Sequence, residues 1–142
     1  MRPSREERRE YQKDASDALR DAFLMTWAAW RELTSGLEAR DRLKGLEQDG
    51  ETRSALIGTV ETIRRAFEKV EEGLEKLREN SIKEAQENAK QAYTLWSEAQ
   101  HTQNELISQT AGNEVCDTLG CLRRYERAIE AVGRAIELLG KC

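Results

Sequence analysis

Hydrophobic residues recur with helical spacing along most of this chain, and most regularly between Leu56 and Leu77. In that stretch apolar residues alternate at four- and three-residue steps, which is the heptad pattern of a helix packed lengthwise on other helices. The apolar positions are Leu56, Val60, Ile63, Phe67, Val70, Leu74 and Leu77. The flank holds the small residues Thr59, Ala66 and Gly73. This widened apolar face predicts a bundle helix with a close neighbour rather than a free-standing coiled coil.

Capping boxes and turn residues divide the chain into helices. We predict helices over residues 4–34, 36–47, 51–79, 81–108 and 117–139 of a single domain spanning residues 1–142. Asp49-Gly50 is a turn signal, and Asn80-Ser81 breaks the heptad phase where the chain reverses into a hairpin. The pattern predicts an all-α, antiparallel four-helix bundle with a short connecting helix over 36–47. The capping boxes are Ser4–Glu7, Ser35–Glu38 and Ser81–Glu84.

The last two long helices carry their own apolar stripes. The third is rich in alanine, which permits a small distance between helices and complements the bulkier stripe before it. Its seam is Ile82, Ala85, Ala89, Ala92, Trp96, Ala99, Gln103 and Leu106. The stripe of the last helix is Leu122, Tyr125, Ile129, Val132, Ile136 and Leu139.

The first helix is apolar around most of its circumference near its middle. Burial in the core is the simpler role for Trp27 and Trp30 taken singly. The neighbouring apolar residues cannot all face one core, however, so part of this surface is expected to meet another chain. We therefore predict a protein partner, with a homodimer through helix one, and assign the contact to Phe23, Leu24, Trp27, Ala28 and Trp30.

Composition and charge indicate where in the cell the protein is located. The formal net charge is −4, and the longest apolar stretch, residues 22–30, is interrupted by Thr26. A span across a bilayer needs about 20 apolar residues. The basic N-terminus is not followed by the apolar segment of a signal peptide. We predict a cytoplasmic protein that does not enter a membrane.

Two arginine clusters support a second hypothesis, a small subunit of a nucleoprotein complex that contacts the phosphate backbone. Glutamates are interleaved with both clusters and the net charge is acidic, so we do not favour nucleic acid as the partner. The candidate phosphate contacts are Arg5, Arg8, Arg9, Arg123, Arg124 and Arg127.

The cysteines support a third hypothesis, a redox or metal site in the loop that holds Cys116 and Cys121. The chain offers three cysteines and one distant histidine, His101, so we do not expect a complete zinc site. A single histidine also cannot supply the paired Glu-x-x-His motifs of a di-iron bundle. Cys121 and Cys142 lie on a heptad flank with two alanines, so structural thiols are favoured over a loop disulfide. Without phosphate-binding or nucleophile-elbow motifs, we predict a non-catalytic protein with no cofactor.

Overall fold

The chain forms four long helices. A computed structural model describes residues 2–42, 50–108 and 118–142. At the ends of these ranges that border residues 43–49 and 109–117, only the backbone is described. The helices are α1 (Arg5–Arg42), α2 (Gly50–Arg78), α3 (Ile82–Ser108) and α4 (Thr118–Gly140), and these described ranges contain no strand. The predicted all-α four-helix architecture is confirmed.

The helices form a ring in which each neighbouring pair is antiparallel. Gly73 of α2 lies against Ala85 of α3, on either side of the turn that joins them. Gln86, near the start of α3, donates a hydrogen bond from Nε2 to the Ile136 carbonyl, near the end of α4 (3.1 Å). The Cys142 sulfur, just after α4, lies 4.0 Å from the Arg8 carbonyl oxygen near the start of α1. In this ring α1 packs beside α2 and α4, and α3 lies diagonally across from it.

The core is built mainly from the predicted stripes, but α4 is rotated about its axis relative to the prediction. In α3 the seam is buried as predicted at Ala85, Ala89, Ala92, Trp96 and Ala99. In α4, by contrast, Ile129 and Ile136 are only half-buried. The small residues beside them turn inward, so α4 packs closer to its neighbours than a stripe of isoleucines would allow. The buried positions of α4 are Tyr125, Ala128, Ala131, Val132, Ala135 and Leu139.

The small flank of α2 is buried, as the heptad pattern predicts. Thr59, Ala66 and Gly73 are all buried, and Gly73 faces both α3 and α1. A Cβ atom added at Gly73 would lie 3.5 Å from the Asn88 Cβ and 3.7 Å from a Leu19 methyl carbon. Those distances are ordinary van der Waals contacts, so the helices approach closely but still leave room for a methyl group.

The hairpin between α2 and α3 ends α2 in a Schellman motif. Asn80 adopts a left-handed conformation (φ 63°), which asparagine tolerates better than most residues. The Ser81 N–H donates to the Lys76 carbonyl (2.8 Å) and the Asn80 N–H to the Leu77 carbonyl (3.1 Å). These two bonds satisfy carbonyls that the helix end would otherwise leave unpaired.

Of the three predicted capping boxes, one forms and the predictions for the other two are wrong. At the start of α1 the box forms, since Glu7 N–H donates to the Ser4 hydroxyl (3.1 Å) and Ser4 N–H to the Glu7 carboxylate (3.4 Å). Among the described residues the box at Ser81 does not form, because Glu84 instead pairs with Lys76 across the hairpin (3.1 Å).

The third predicted box, Ser35–Glu38, starts no helix because α1 continues through it to Arg42. The predicted separate helix over 36–47 is therefore wrong for residues 36–42, and residues 43–47 lie outside the described ranges. Thr34 stays inside the helix, with its hydroxyl donating to the Trp30 carbonyl (2.9 Å). Gly36 costs about 1 kcal/mol relative to alanine, which is too little to end a long helix.

Candidate functional site

Three helices contribute aromatic rings to one cluster, which lies between the middle and the C-terminal half of α1. Phe23, Trp27 and Trp30 follow i, i+4 and i+7 spacing, which places them along one side of α1. Phe67 of α2 is the ring they share, with centroids 4.7 Å from Phe23, 6.1 Å from Trp27 and 6.2 Å from Trp30. Trp96 of α3 also meets Phe67 edge-on, at 6.2 Å. The cluster therefore ties α1 to α2 and α3.

Trp27 forms the outer edge of this cluster. Its ring stacks on Phe23 (6.0 Å between centroids, 15° between planes) and on Trp30 (5.4 Å, 26°). Even so, 42% of Trp27 is exposed to solvent. A large ring held by two stacked neighbours has little conformational freedom left to lose on binding, which is a property of interface anchors.

Leu24 extends the exposed apolar surface on the outer side of α1. It is 68% exposed, the most of any large hydrophobic residue among those described, and it lies opposite the buried side of the helix. Because Leu24 and Trp27 are three residues apart, their side chains are neighbours on the helix surface. We call Leu24 and Trp27 the α1 apolar patch. The buried side of α1 consists of Ala15, Ala18, Leu19, Ala22 and Thr26.

The predicted contact set is thus divided between two environments. Phe23 and Trp30 are half-buried within the aromatic cluster, whereas Leu24 and Trp27 are exposed. The Ala28 side chain lies outside the described part of the chain. Sequence pattern identified this region of α1 but did not separate the packed residues from the exposed ones.

Charged residues flank the outer face of α1 in two groups of opposite sign. On the side toward α2, a groove of about 250 Å³ is lined by four cations: Arg9, Lys13, Arg20 and Arg78. On the side toward α4, a groove of about 240 Å³ is lined by Asp14, Asp17 and Asp21, with Arg134 as its one cation. We call these the basic groove and the acidic groove.

The charges of the first half of α1 form no ion pair within the described residues, whereas several of those of α2 do. Exposed side chains from Arg9 to Asp21 form no ion pair with any described residue. On α2, Arg64 pairs with Glu61 (2.8 Å) and Glu68 (3.8 Å). These glutamates raise the pKa of Arg64, chiefly through the hydrogen bond that Arg64 donates to Glu61.

The structure does not bring the two predicted arginine clusters together. Arg5, Arg8 and Arg9 are exposed at the start of α1, beside the end of α4. Arg124 and Arg127 lie near the start of α4, and the Arg123 side chain is outside the described residues. Arg124 precedes Cys142 by 18 residues, so the clusters are about 27 Å apart along the bundle. A phosphate backbone would have to follow the whole length of the bundle to touch both.

The cysteine hypothesis concerns Cys116 and Cys121, which lie largely outside the described residues. Cys116 is outside the described ranges, and for Cys121 only the backbone is described, as part of α4. Cys142 is a free, half-buried thiol that donates to the Leu138 carbonyl (3.5 Å). Burial raises its pKa, and the nearby Arg8 charge lowers it by less. The redox role of the 116–121 segment stays a prediction.

Two buried indole nitrogens remain without a hydrogen-bond acceptor among the described residues, Nε1 of Trp30 and of Trp96.

In the same described ranges, no group of three histidine, cysteine, aspartate or glutamate residues is arranged to hold a metal ion. None of the described helices has the length and hydrophobicity needed to cross a membrane. No protein-family model, curated protein or solved structure matches the chain.

Proposed function

We propose that this protein is a non-catalytic helical interaction module, such as an adaptor, chaperone or structural subunit, that self-associates through the outer face of α1. The observation that carries the proposal is the α1 apolar patch. Leu24 is 68% and Trp27 is 42% exposed, although each lies on the helix that supplies much of the core. Burial of adjacent exposed apolar side chains is the usual driving force of protein association.

The surroundings of the patch have the composition of an interface. Arg20, Asp21 and Arg31 are exposed around Leu24 and Trp27, giving a small apolar centre with a charged rim. The stacked rings beneath Trp27 hold the patch in one shape before binding. An interface that is already ordered loses less entropy on association.

Binding to a nucleic-acid backbone is the alternative, and the basic groove is the observation in its favour. This groove continues the cluster of Arg5, Arg8 and Arg9 along α1. The acidic groove runs along the other side of the same helix, however, and would repel a polyanion laid across α1. We therefore rank this function second, and it predicts an affinity that falls steeply as salt is raised.

Light scattering of the purified protein, with absorbance at 260 and 280 nm, tests the proposal. We expect a dimer free of nucleic acid at low and at high salt, because the contact at its centre is apolar. Leu24→Glu should give a monomer, since it would place two carboxylates in the interface. Tyr93→Glu is the matched control because Tyr93 is 41% exposed on α3, away from the proposed contact.

Three results would count against this function. A wild-type monomer at all concentrations excludes self-association, and a dimer that survives Leu24→Glu excludes the α1 apolar patch as its contact. A monomer that carries nucleic acid, released at high salt, favours the phosphate-binding alternative.

A further inference from the structure

The two grooves beside α1 determine how a second copy of the chain can fit against it. Consecutive residues of an α-helix are turned by about 100°, so each side chain can be placed around α1 relative to Leu24. Arg9, Lys13 and Arg20 fall about 20–60° to one side of Leu24, the side toward α2. The carboxylates fall about 20–80° to the other side, toward α4; they are Glu10, Asp14, Asp17 and Asp21. The outer face of α1 is therefore divided lengthwise by charge.

We propose that two copies associate with their α1 helices side by side and parallel, about a two-fold axis along the bundle. The inference rests on the proposed self-association and adds its geometry. Rotation about such an axis exchanges the two sides of α1. The basic groove of each copy then faces the acidic groove of the other, on both sides of a central contact between the two Leu24 side chains.

An antiparallel pair of α1 helices loses this match. Its two-fold axis is perpendicular to the helices and keeps each side of α1 on the same side of the interface. With Leu24 at its centre, this arrangement sets the charged first half of α1 opposite the second half of the other copy, so Arg9, Lys13 and Arg20 do not meet the row of carboxylates. The parallel arrangement brings the opposite charges together, and opposite charges fix orientation and register.

The order of charges along α1 also indicates a partner of this kind. Within the helix, Arg5, Arg9 and Lys13 follow one another at four-residue spacing, and so do Glu6, Glu10 and Asp14. Like charges at this spacing are neighbours and repel each other. With no ion pair to other described residues, these side chains are available to a facing copy.

Disulfide cross-linking at two levels of α1 distinguishes the two geometries. Asp17 and Arg31 are both exposed, and each is seven residues from Leu24. In the parallel dimer each residue is level with its own copy and lies near the two-fold axis, so Asp17→Cys and Arg31→Cys should each form disulfide-linked dimers. In an antiparallel dimer centred on Leu24, Asp17 meets Arg31, and its own copy is about 21 Å away. A disulfide needs Cα atoms within about 7 Å.

The variants are made in a chain whose three native cysteines are replaced by serine, and are oxidised singly and as an equimolar mixture. Glu87→Cys is the control, since Glu87 is exposed on α3, diagonally across from α1. We expect each α1 variant to give at least tenfold more linked dimer than the control, and the mixture to give little hybrid. A predominant hybrid overturns the parallel arrangement but leaves self-association standing. A dimer by light scattering that cross-links no better than the control overturns the α1 contact itself, and a monomer overturns both.

Charge reversal tests the cause of the orientation. The variant Lys13→Glu/Arg20→Glu replaces two of the four cations of the basic groove with carboxylates, and Asp17→Lys/Asp21→Lys replaces two of the three aspartates of the acidic groove with cations. We expect each variant to be a monomer at a concentration where the wild type is dimeric, and an equimolar mixture to regain the dimer. If each variant remains dimeric by itself, the grooves do not determine the association and the proposal is wrong.

Discussion

Truncation of Leu24 should weaken self-association strongly while leaving the fold of each copy unchanged. Leu24→Ala removes three carbon groups, whose full burial contributes about 2.4 kcal/mol. Since 68% of Leu24 is exposed in the single chain, about 1.6 kcal/mol per copy is still to be gained on association. Two copies contribute to each dimer, so the change amounts to about 3.3 kcal/mol, or roughly a 200-fold increase in the dimer dissociation constant.

Sedimentation equilibrium over a range of concentrations measures this constant for the wild type, Leu24→Ala and Tyr93→Ala. Tyr93 is 41% exposed, so its truncation removes a partly exposed ring from α3, outside the contact. Urea unfolding at a concentration where the chain is monomeric should show that Leu24→Ala changes the free energy of unfolding by less than about 0.5 kcal/mol. An unchanged dissociation constant for Leu24→Ala, or an equal loss for Tyr93→Ala, would refute the assignment of the interface.

Three further predictions concern the single chain. Gly58→Ala should raise the free energy of unfolding by about 0.5–1 kcal/mol, measured in urea, because a Cβ there meets no atom within 4 Å and alanine favours the helix; a loss would contradict the open geometry. Ser4→Ala should cost about 1 kcal/mol in the same assay by removing the acceptor of the Glu7 N–H, and no change would show that the cap is unimportant. Because burial raises the pKa of Cys142 above its ordinary value, its thiol should stay protonated at neutral pH. In a Cys116→Ser/Cys121→Ser chain, alkylation of Cys142 should therefore accelerate only at more alkaline pH than for a free cysteine; rapid reaction at pH 7 would contradict this.

Much of the fold follows from the heptad pattern, and the differences have local causes. The stripe of α2 and the alanine seam of α3 specified which faces are buried, since a helix in a bundle must bury its apolar side. The sequence could not show that α1 passes through Thr34 and Gly36, because local signals for a helix end are weak compared with the hydrogen bonding of a continuous helix. Nor could a capping motif at Ser81 reveal that Glu84 would find Lys76 across the hairpin.

The candidate site was only partly predictable, for a geometric reason. Apolar content located it on α1, but whether a given ring is packed or exposed depends on the neighbouring helices. Phe67 of α2 covers Phe23 more closely than it covers Trp27, and no pattern along α1 contains that information. The basic groove was missed because Arg78 comes from α2, while its other three cations are spread over α1. The signal that could have located it is the separation of charges around α1 relative to Leu24.

The order of charges along α1 links the fold to the proposed function. On α2, Arg64 forms ion pairs with both Glu61 and Glu68. Along α1, five pairs of residues at four-residue spacing carry like charge: 5–9, 9–13, 6–10, 10–14 and 17–21. Each such pair costs about 0.2–0.5 kcal/mol, and the opposite charges at 6–9, 10–13, 13–17 and 17–20 offset this cost only in part. A second copy whose opposite charges face these rows offsets it, and the apolar patch lies on the same face of the same helix.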